Sequence, residues 1–480
     1  MAEGCDQNDR NYVAHAKGGG AAPHGLQSHL KCTSSLARSF AEVWGAGNFA
    51  AFAALWHDLG KFSPAFQAMI RTATGEDSHL DKTSDRIRKR VDHSTAGALN
   101  ACLQLGEAGM ATAFAIAGHH AGLADFHGPS GLEERLAAAG PLLEAATCDA
   151  SATILAANEQ SIQLPQTADR SLWVRMLASA LFNADFLNTE GYFDVERKEA
   201  RKGWADIEAL ASGLDGHLTE KFAGRNGTVN QLRAQVLAAC RKAAHESPGL
   251  FTLSVPTGGG KTLSSLAFAL DHARLHDLGR VIYAVPFTSI IEQTADVFRD
   301  ALGDDAVLEH HSTLDPTDPE RENNRTRLAS KNWDAPVVVT TTVQLFESLF
   351  ASRTSRLRKL HNIAGSVIVL DEAQAIPVGV LRPITAVLRE LVTTYKASVV
   401  LCTATQPALH AVFPDLPPAR EIAPPCLQMP ERVRVEFPEA GARRSSKIIA
   451  PPAGRIAVQA IDYAIPANSS IARRVWRSMV

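Results

Sequence analysis

Across residues 28–192 apolar side chains recur at three- and four-residue spacing in segments rich in Ala and Leu. The clearest cases are 49–57, 108–120 and 172–187, and the spacing predicts helices there, because residues three and four apart share one helix face. The texture changes at Leu250. Short β-rich runs appear at 251–255, 281–285, 337–341, 367–370 and 398–402, with helical stretches between them. Near-continuous apolar strands alternating with helices predict a parallel sheet covered on both faces. The chain thus reads as a multidomain protein with an all-α domain over 10–200 and an α/β domain over 228–415. The charged stretch 201–227 reads as a connector. Residues 416–480 hold many prolines and little periodicity, and are expected to form an irregular tail.

Composition narrows the class. At 480 residues the chain exceeds one comfortable core, so about two or three domains are expected. A net charge of −3 excludes a globally basic nucleic-acid binder. Contact with DNA would have to use local runs such as Arg86-Ile87-Arg88-Lys89-Arg90 or 353–359, each of which, taken alone, reads as a solvated helix face. Seven cysteines are scattered without a CxxC pair, against a disulfide framework or thiolate zinc site and for a reducing compartment. Residues 1–10 are polar and lack an apolar leader core, and no apolar run is of membrane-spanning length. A cytoplasmic protein without membrane contact is expected.

Candidate chemistry begins at Leu55-Trp56-His57-Asp58-Leu59-Gly60-Lys61. A lone His-Asp pair carries little, since His276-Asp277-Leu278-Gly279 repeats the tetrapeptide and is expected at a helix end with no chemistry. His57-Asp58 differs in its company: His29 precedes it, and His93, His119-His120 and Asp185 follow. Taken singly, each histidine reads as a satisfied core or surface residue. Together, imidazoles and carboxylates suit divalent transition metals, and a carboxylate can bridge two ions. Two such ions about 3.5–4 Å apart polarise a phosphate and activate water at neutral pH. Several of these residues lie in apolar helical surroundings, where a buried charge is costly unless paired or metal-bound.

The order of these motifs resembles that of HD-superfamily phosphohydrolase domains. Phe62-Ser63-Pro64-Ala65-Phe66-Gln67 and His93-Ser94-Thr95-Ala96-Gly97-Ala98 resemble phrases of its CRISPR-associated branch. The resemblance implies that His29, His57, Asp58 and Asp185 hold one ion. It implies a second ion on Asp58, His93, His119 and His120, with Asp58 catalytic and Lys61 contacting phosphate. Mn, Ni, Co and Fe are the candidate metals. His15, in Tyr12-Val13-Ala14-His15, matches a recurrent family phrase outside the ligand positions. Its role stays open between supporting a ligand and structure.

In the second half, Pro256-Thr257-Gly258-Gly259-Gly260-Lys261-Thr262 follows a predicted strand and opens an apolar helix. Glycines in such a loop let backbone N–H groups turn around a phosphate, Lys261 reaches the β/γ-phosphates and Thr262 holds Mg²⁺. Val255 stands where the strict motif opens with Gly or Ala, a departure at the strand end. The apolar run Val367-Ile368-Val369-Leu370 delivers Asp371 to Mg²⁺ and Glu372 to the attacking water. An ATP–Mg²⁺ site is therefore expected, with Thr257, Gly258, Gly259, Gly260, Lys261, Thr262 and Asp371 binding and Glu372 catalytic. The surrounding phrases resemble superfamily-2 helicases, and more narrowly the CRISPR-associated type I nuclease-helicases. Pro286-Phe287-Thr288-Ser289-Ile290-Ile291-Glu292-Gln293-Thr294 resembles a DNA-contacting segment. Thr340-Thr341-Thr342-Val343-Gln344 resembles one that grips the strand backbone, although alone it also reads as turn chemistry. Thr403-Ala404-Thr405 resembles the motif coupling ATP state to DNA binding, and Asn230-Gln231-Leu232-Arg233 sits where the family recognises adenine.

Such motors carry a second RecA-like lobe whose arginines stabilise transition-state charge. The residues after Thr405 show no Gln-x-x-Gly-Arg-like stretch, and the chain is expected to be truncated after the first lobe, binding ATP but hydrolysing it poorly and not translocating. A separately encoded second lobe is then a candidate partner. The leading reading is a metal-dependent single-stranded DNA nuclease fused to that lobe, recruited in CRISPR defence by an RNA-guided type I surveillance complex. Two rivals are an HD phosphohydrolase of small nucleotides regulated by ATP, and a remnant that binds the surveillance complex without cutting.

Overall fold

The computed structural model describes residues 12–16, 22–72, 91–156, 169–224, 226–311, 324–404 and 418–423. The helical unit packs Leu26–Glu42, Gly47–Trp56, Thr95–Leu105, Gly109–Gly118 and the 24-residue helix Arg170–Phe193 around Trp56, Ile116, Trp173, Met176 and Leu181. Asp169 caps the long helix, accepting from the N–H groups of Ser171 and Leu172 at 3.0 and 2.9 Å. Gly97 is required by close packing: a Cβ there would lie 1.8 Å from the Trp56 carbonyl oxygen. That contact seats the Thr95–Leu105 helix against the end of Gly47–Trp56, one residue before His57. A small antiparallel ribbon, β1 (Val13–His15) with β2 (His24–Gly25), closes over this end; it has no counterpart in the predicted elements.

The α/β unit is a seven-stranded sheet in the order β5-β6-β4-β7-β8-β3-β9, every neighbouring pair parallel. Its strands are β3 (Leu250–Ser254), β4 (Arg280–Val285), β5 (Val307–His310), β6 (Val337–Thr341), β7 (Ser366–Leu370), β8 (Ser398–Thr403) and β9 (Arg420–Glu421). The five predicted strands stand within a residue or so of their expected bounds. The two additions break the apolar pattern. β5 contains buried Glu309, satisfied by Arg299 and His311. β9 is a two-residue edge inside the segment read as an irregular tail, held where Glu421 accepts from Thr252 and Ser254. Residues 424–480 of that segment, the Arg86–Arg90 run and Thr405 lie outside the described residues.

The stretch read as a connector contributes to the lobe itself. Asp206 caps the helix Ile207–Phe222, which buries Leu210, Ala211, Leu214 and Leu218 beside Val236, Cys240 and Leu266. Successive strand residues point to opposite faces of a sheet, and here the two faces meet different partners. Val281, Tyr283 and Val285 join this helical layer. Ile282, Ala284, Ile368 and Leu370 join one cluster with Trp56, Ile116 and Trp173 of the helical unit. The two units therefore share a core.

Polar contacts reinforce that junction. Ser179 Oγ accepts from the His361 N–H at 2.9 Å and pairs with His361 Nδ1 at 2.9 Å. Arg358 donates to Asn183 Oδ1 at 3.1 Å and lies 3.5 Å from the centroid of the Phe186 ring. The Leu123 N–H donates to the Ser352 carbonyl at 2.9 Å, and Thr354 Oγ1 to the His120 carbonyl at 3.4 Å. This corrects the reading of 353–359 as a solvated face at Arg358 and Lys359, which are buried, while Arg353 and Arg356 remain exposed. Among the described residues no helix is long and apolar enough to cross a membrane. Arg358→Ala is expected to cost about 1–3 kcal/mol, leaving Asn183 Oδ1 buried without its donor. The check is a lower urea midpoint for the full chain; an unchanged midpoint would contradict the role given to this contact.

Candidate functional site

All seven residues named as metal candidates stand in one cluster, at the ends of helices rather than within them for three of the histidines. His57 and His119 are the residues immediately after Gly47–Trp56 and Gly109–Gly118, and His120 follows. Each turn holds its histidine by the ring nitrogen nearer the backbone. His57 Nδ1 contacts the Ala54 carbonyl at 2.6 Å, and His119 Nδ1 the Ile116 carbonyl at 2.7 Å. His29 Nδ1 contacts Asn188 Oδ1 at 2.7 Å. An oxygen at Nδ1 orients each ring so that Nε2 faces the cluster.

Asp58 divides its two oxygens between two groups. Oδ2 lies 3.3 Å from His57 Nε2 and 3.5 Å from His29 Nε2. Asp185 Oδ1, from the Arg170–Phe193 helix, lies 3.4 Å from His29 Nε2 and 3.6 Å from His57 Nε2. Oδ1 of Asp58 faces His119 Nε2 at 3.4 Å and His93 Nε2 at 3.6 Å, while the His93 and His120 Nε2 atoms are 2.9 Å apart. Asp58, His93, His119 and His120 thus form one donor set and His29, His57 and Asp58 another. Asp58 Oδ1 and His119 Nε2 are buried with no hydrogen-bond partner. A buried acceptor and a buried imidazole nitrogen facing each other fit a bound cation, and the oxygen–imidazole donor set fits a divalent transition metal.

Electrostatics favour a charged Asp58. Burial resists it, but His57 and Lys61 hold the carboxyl well below its usual range. Burial likewise opposes charge on His57, yet Asp58 and Asp185 raise it to about 10. Lys61 Nζ sits 2.7 Å from Asp58 Oδ2 and donates to the Ala14 carbonyl at 3.3 Å. A cavity of about 1110 Å³ opens beside the cluster, lined by His15, Lys61, His93, His120 and Arg135 among others.

The ATP candidates occupy the loop after β3. Gly258 and Gly260 have φ of 82° and 89°, a left-handed backbone that glycine adopts without strain. Gly260 caps the helix Lys261–Leu275, whose first turn offers N–H groups to an anion. Lys261 Nζ lies 2.8 Å from Asp371 Oδ1 and also contacts Glu372. β4 and β7 are paired, and the Asp371 N–H donates to Ala284 O at 2.9 Å, placing that carboxylate at the sheet's C-terminal edge. Glu372 has φ 48° and ψ 49°, costly for a non-glycine residue and of a kind that concentrates at functional sites. Arg233 Nε donates to the Gly258 carbonyl at 3.2 Å, and Asn230 and Arg233 line a cavity of about 460 Å³ with Phe222 and Leu237. Phe287 and Val343, in the two phrases whose resemblance implies DNA contact, are exposed just past the adjacent strands β4 and β6. His276 and Asp277 end the Lys261–Leu275 helix away from either cluster.

Residues 20–188 match the family model of the Cas3 HD domain, and residues 235–412 match that of the DEAD/DEAH box helicase. The chain joins a Cas3-type HD domain to a DEAD/DEAH-box helicase domain. Over 272 residues it is 30% identical to the CRISPR-associated nuclease/helicase Cas3 of Haloferax volcanii, covering 50% of this chain and 28% of that protein. The fold is similar to T. fusca Cas3-ATP, with a TM-score of 0.54 and 20% identity over 84% of this chain and 50% of the other. A further crystal structure of a CRISPR-associated protein gives a TM-score of 0.52 at 20% identity, covering 86% and 55% of the two chains. The chain therefore spans about half the length of these solved relatives.

The HD end also gathers His15, whose role the sequence left open, and three residues that the sequence did not single out, His24, Asn188 and Arg135. The His15 ring lies 5.0 Å from that of His29, and its Nε2 is 3.2 Å from Thr189 Oγ1. His24 lies 5.1 Å from His29 and stacks on Tyr192. Asn188 had a signal: it follows Asp185 by three residues in a helical stretch, so it shares that face. His24 had none, because β2 is too short to carry a period.

Two outcomes are expected. EDTA-treated chain should bind Mn²⁺ with a rise in melting temperature, and Asp58→Ala should weaken both ions by at least about 10–100-fold, because both donor sets use that carboxylate. Isothermal titration of the variant against Mn²⁺ checks it. Lys261→Ala should weaken MgATP by about 1.5–3 kcal/mol, the worth of hydrogen bonds to a charged group, read by ATP titration with Mn²⁺ binding at the HD end unaltered.

Proposed function

We propose that this chain is a metal-dependent nuclease acting on single-stranded DNA, carried beside an ATP-binding helicase lobe, in CRISPR defence with an RNA-guided surveillance complex. The observation that carries the reading is the division of the Asp58 carboxylate between two donor sets at the edge of an open cavity. Divalent ions, when bound, supply Lewis-acid charge at a phosphate and lower the pKa of water. His29, His57, Asp58 and Asp185 would hold one ion, and Asp58, His93, His119 and His120 the other. The roles of the chain's own groups follow from their placement. Asp58 keeps its charge through Lys61 and the surrounding imidazoles, and Lys61 Nζ, at the cavity wall, orients a phosphate oxygen against the cluster. The turns at His57 and His119 hold their rings by Nδ1, so that substrate meets a preset arrangement.

The helicase lobe supports an ATP role by the same kind of placement. The Gly258–Gly260 loop and the start of the Lys261–Leu275 helix would receive the β- and γ-phosphates. Lys261 would pair with them, Thr262 and Asp371 would hold Mg²⁺, and Glu372 would orient the attacking water. The choice of DNA, and of the recruiting complex, rests on the resemblance to the CRISPR-associated nuclease-helicases. Purified chain with Mn²⁺ or Ni²⁺ is expected to degrade circular single-stranded DNA, with Asp58→Ala slower by more than about 100-fold. Intact circles after long incubation with Mn²⁺-loaded chain, alongside phosphate release from free nucleotides, would overturn the proposal.

A further inference from the structure

Arg135 belongs to neither donor set, yet its guanidinium touches the turns that deliver three of the histidines. It lies in the short helix Leu132–Ala137 on the cavity wall. Nη1 donates to the Ala117 carbonyl at 2.9 Å, two residues before His119. Nη2 donates to Ser94 Oγ at 2.9 Å and Thr95 Oγ1 at 2.7 Å, and Nε donates to Thr95 Oγ1 at 3.2 Å. Ser94 and Thr95 directly follow His93.

Asp92 completes the brace from the other side of His93. Its Oδ1 accepts from the N–H groups of Ser94 and Thr95 at 3.0 and 2.9 Å, and its Oδ2 accepts from Thr95 Oγ1 at 2.6 Å. The Thr95 hydroxyl therefore donates to Asp92 and accepts from Arg135, whose Nη2 lies 3.7 Å from Asp92 Oδ2. One planar fork thus ties the start of the Thr95–Leu105 helix to the end of Gly109–Gly118. His93 needs this support: its Nδ1 contact, to the Val91 carbonyl, is long at 3.3 Å, against 2.6 and 2.7 Å for His57 and His119. The other donor set is anchored elsewhere, through Asn188 and the Arg170–Phe193 helix. A lysine would keep the charge but present a single point donor in place of the fork.

We propose that Arg135 is a positioning residue for the Asp58–His93–His119–His120 half of the centre, setting the spacing of His93 against His119 and His120 and so the affinity for one of two ions. The inference rests on the two-ion reading above. The test is Mn²⁺ binding to metal-free full-length chain, followed by calorimetry and by the EPR signal of free Mn²⁺, with the metal-free melting temperature recorded for each variant. Wild type is expected to bind two ions. Arg135→Gln should weaken one of them about 10–100-fold, and Arg135→Lys should not restore it. In Arg135→Gln/His120→Ala the loss should merge with that of His120→Ala, whereas with His29→Ala it should add. Binding of both ions by Arg135→Gln as in wild type overturns the inference alone. Equal weakening of both ions with a lowered metal-free melting temperature overturns it too, since that is a general loss of structure. A wild-type chain that binds no Mn²⁺ overturns the two-ion reading and this inference with it.

Discussion

The alternation of side chains along β4 and β7 is the constraint on which the rest of the molecule depends. A parallel sheet must bury both faces. Here one face takes the lobe's own helices, and the other takes a core that runs into the helical unit through Ile282, Ala284, Ile368 and Leu370. Burying each of the isoleucine and leucine side chains contributes about 1.5–3 kcal/mol, so the junction draws on the same force as either domain. Arg358 and His361 then cross it as buried polar groups, and each meets a partner from the Arg170–Phe193 helix. Because that helix also carries Asp185 and Asn188, the sheet's far face and the metal candidates are parts of one packing problem.

The two candidate sites use a common electrostatic device. Each pairs a buried or nearly buried carboxylate with a lysine at short range, Lys61 with Asp58 at 2.7 Å and Lys261 with Asp371 at 2.8 Å. At Asp58 the lysine, together with His57, holds the carboxyl well below its usual range against the cost of burial, ready for a cation. They differ in their frames: helix ends and imidazoles at one, a glycine turn and a strand end at the other.

The sequence made much of this legible because both patterns are local. The phosphate loop and the Asp371-Glu372 pair lie at strand ends that an apolar run marks plainly. The His57-Asp58 pair stood out from its twin at His276-Asp277 only through distant histidines, and the resemblance supplied their grouping. What stayed hidden is what depends on partners far along the chain. β5 was masked by Glu309, whose burial makes sense only with Arg299 and His311 beside it. β9 is two residues long and exists through Glu421 reaching Thr252 and Ser254. The 201–227 stretch looked like a linker because its charges outnumber the four apolar positions that bury. The basic run at 353–359 misled for the opposite reason: arginine and lysine read as solvent-facing until an aromatic ring and an amide are placed over them.

The turn at Ser352 and Thr354 joins the two chemistries more closely than a domain map suggests. It follows Thr340-Thr341-Thr342, at the end of β6, by one short helix, Thr342–Leu349, and its other side is bonded to the backbone of His120 and Leu123. Packed interiors transmit displacement rather than absorb it. In mechanical terms that helix runs from the end of β6 to the loop that is bonded to the histidine turn. The tolerances of the HD unit and the helicase-domain lobe are therefore shared, and a substitution fitted to one end is a substitution tried at the other.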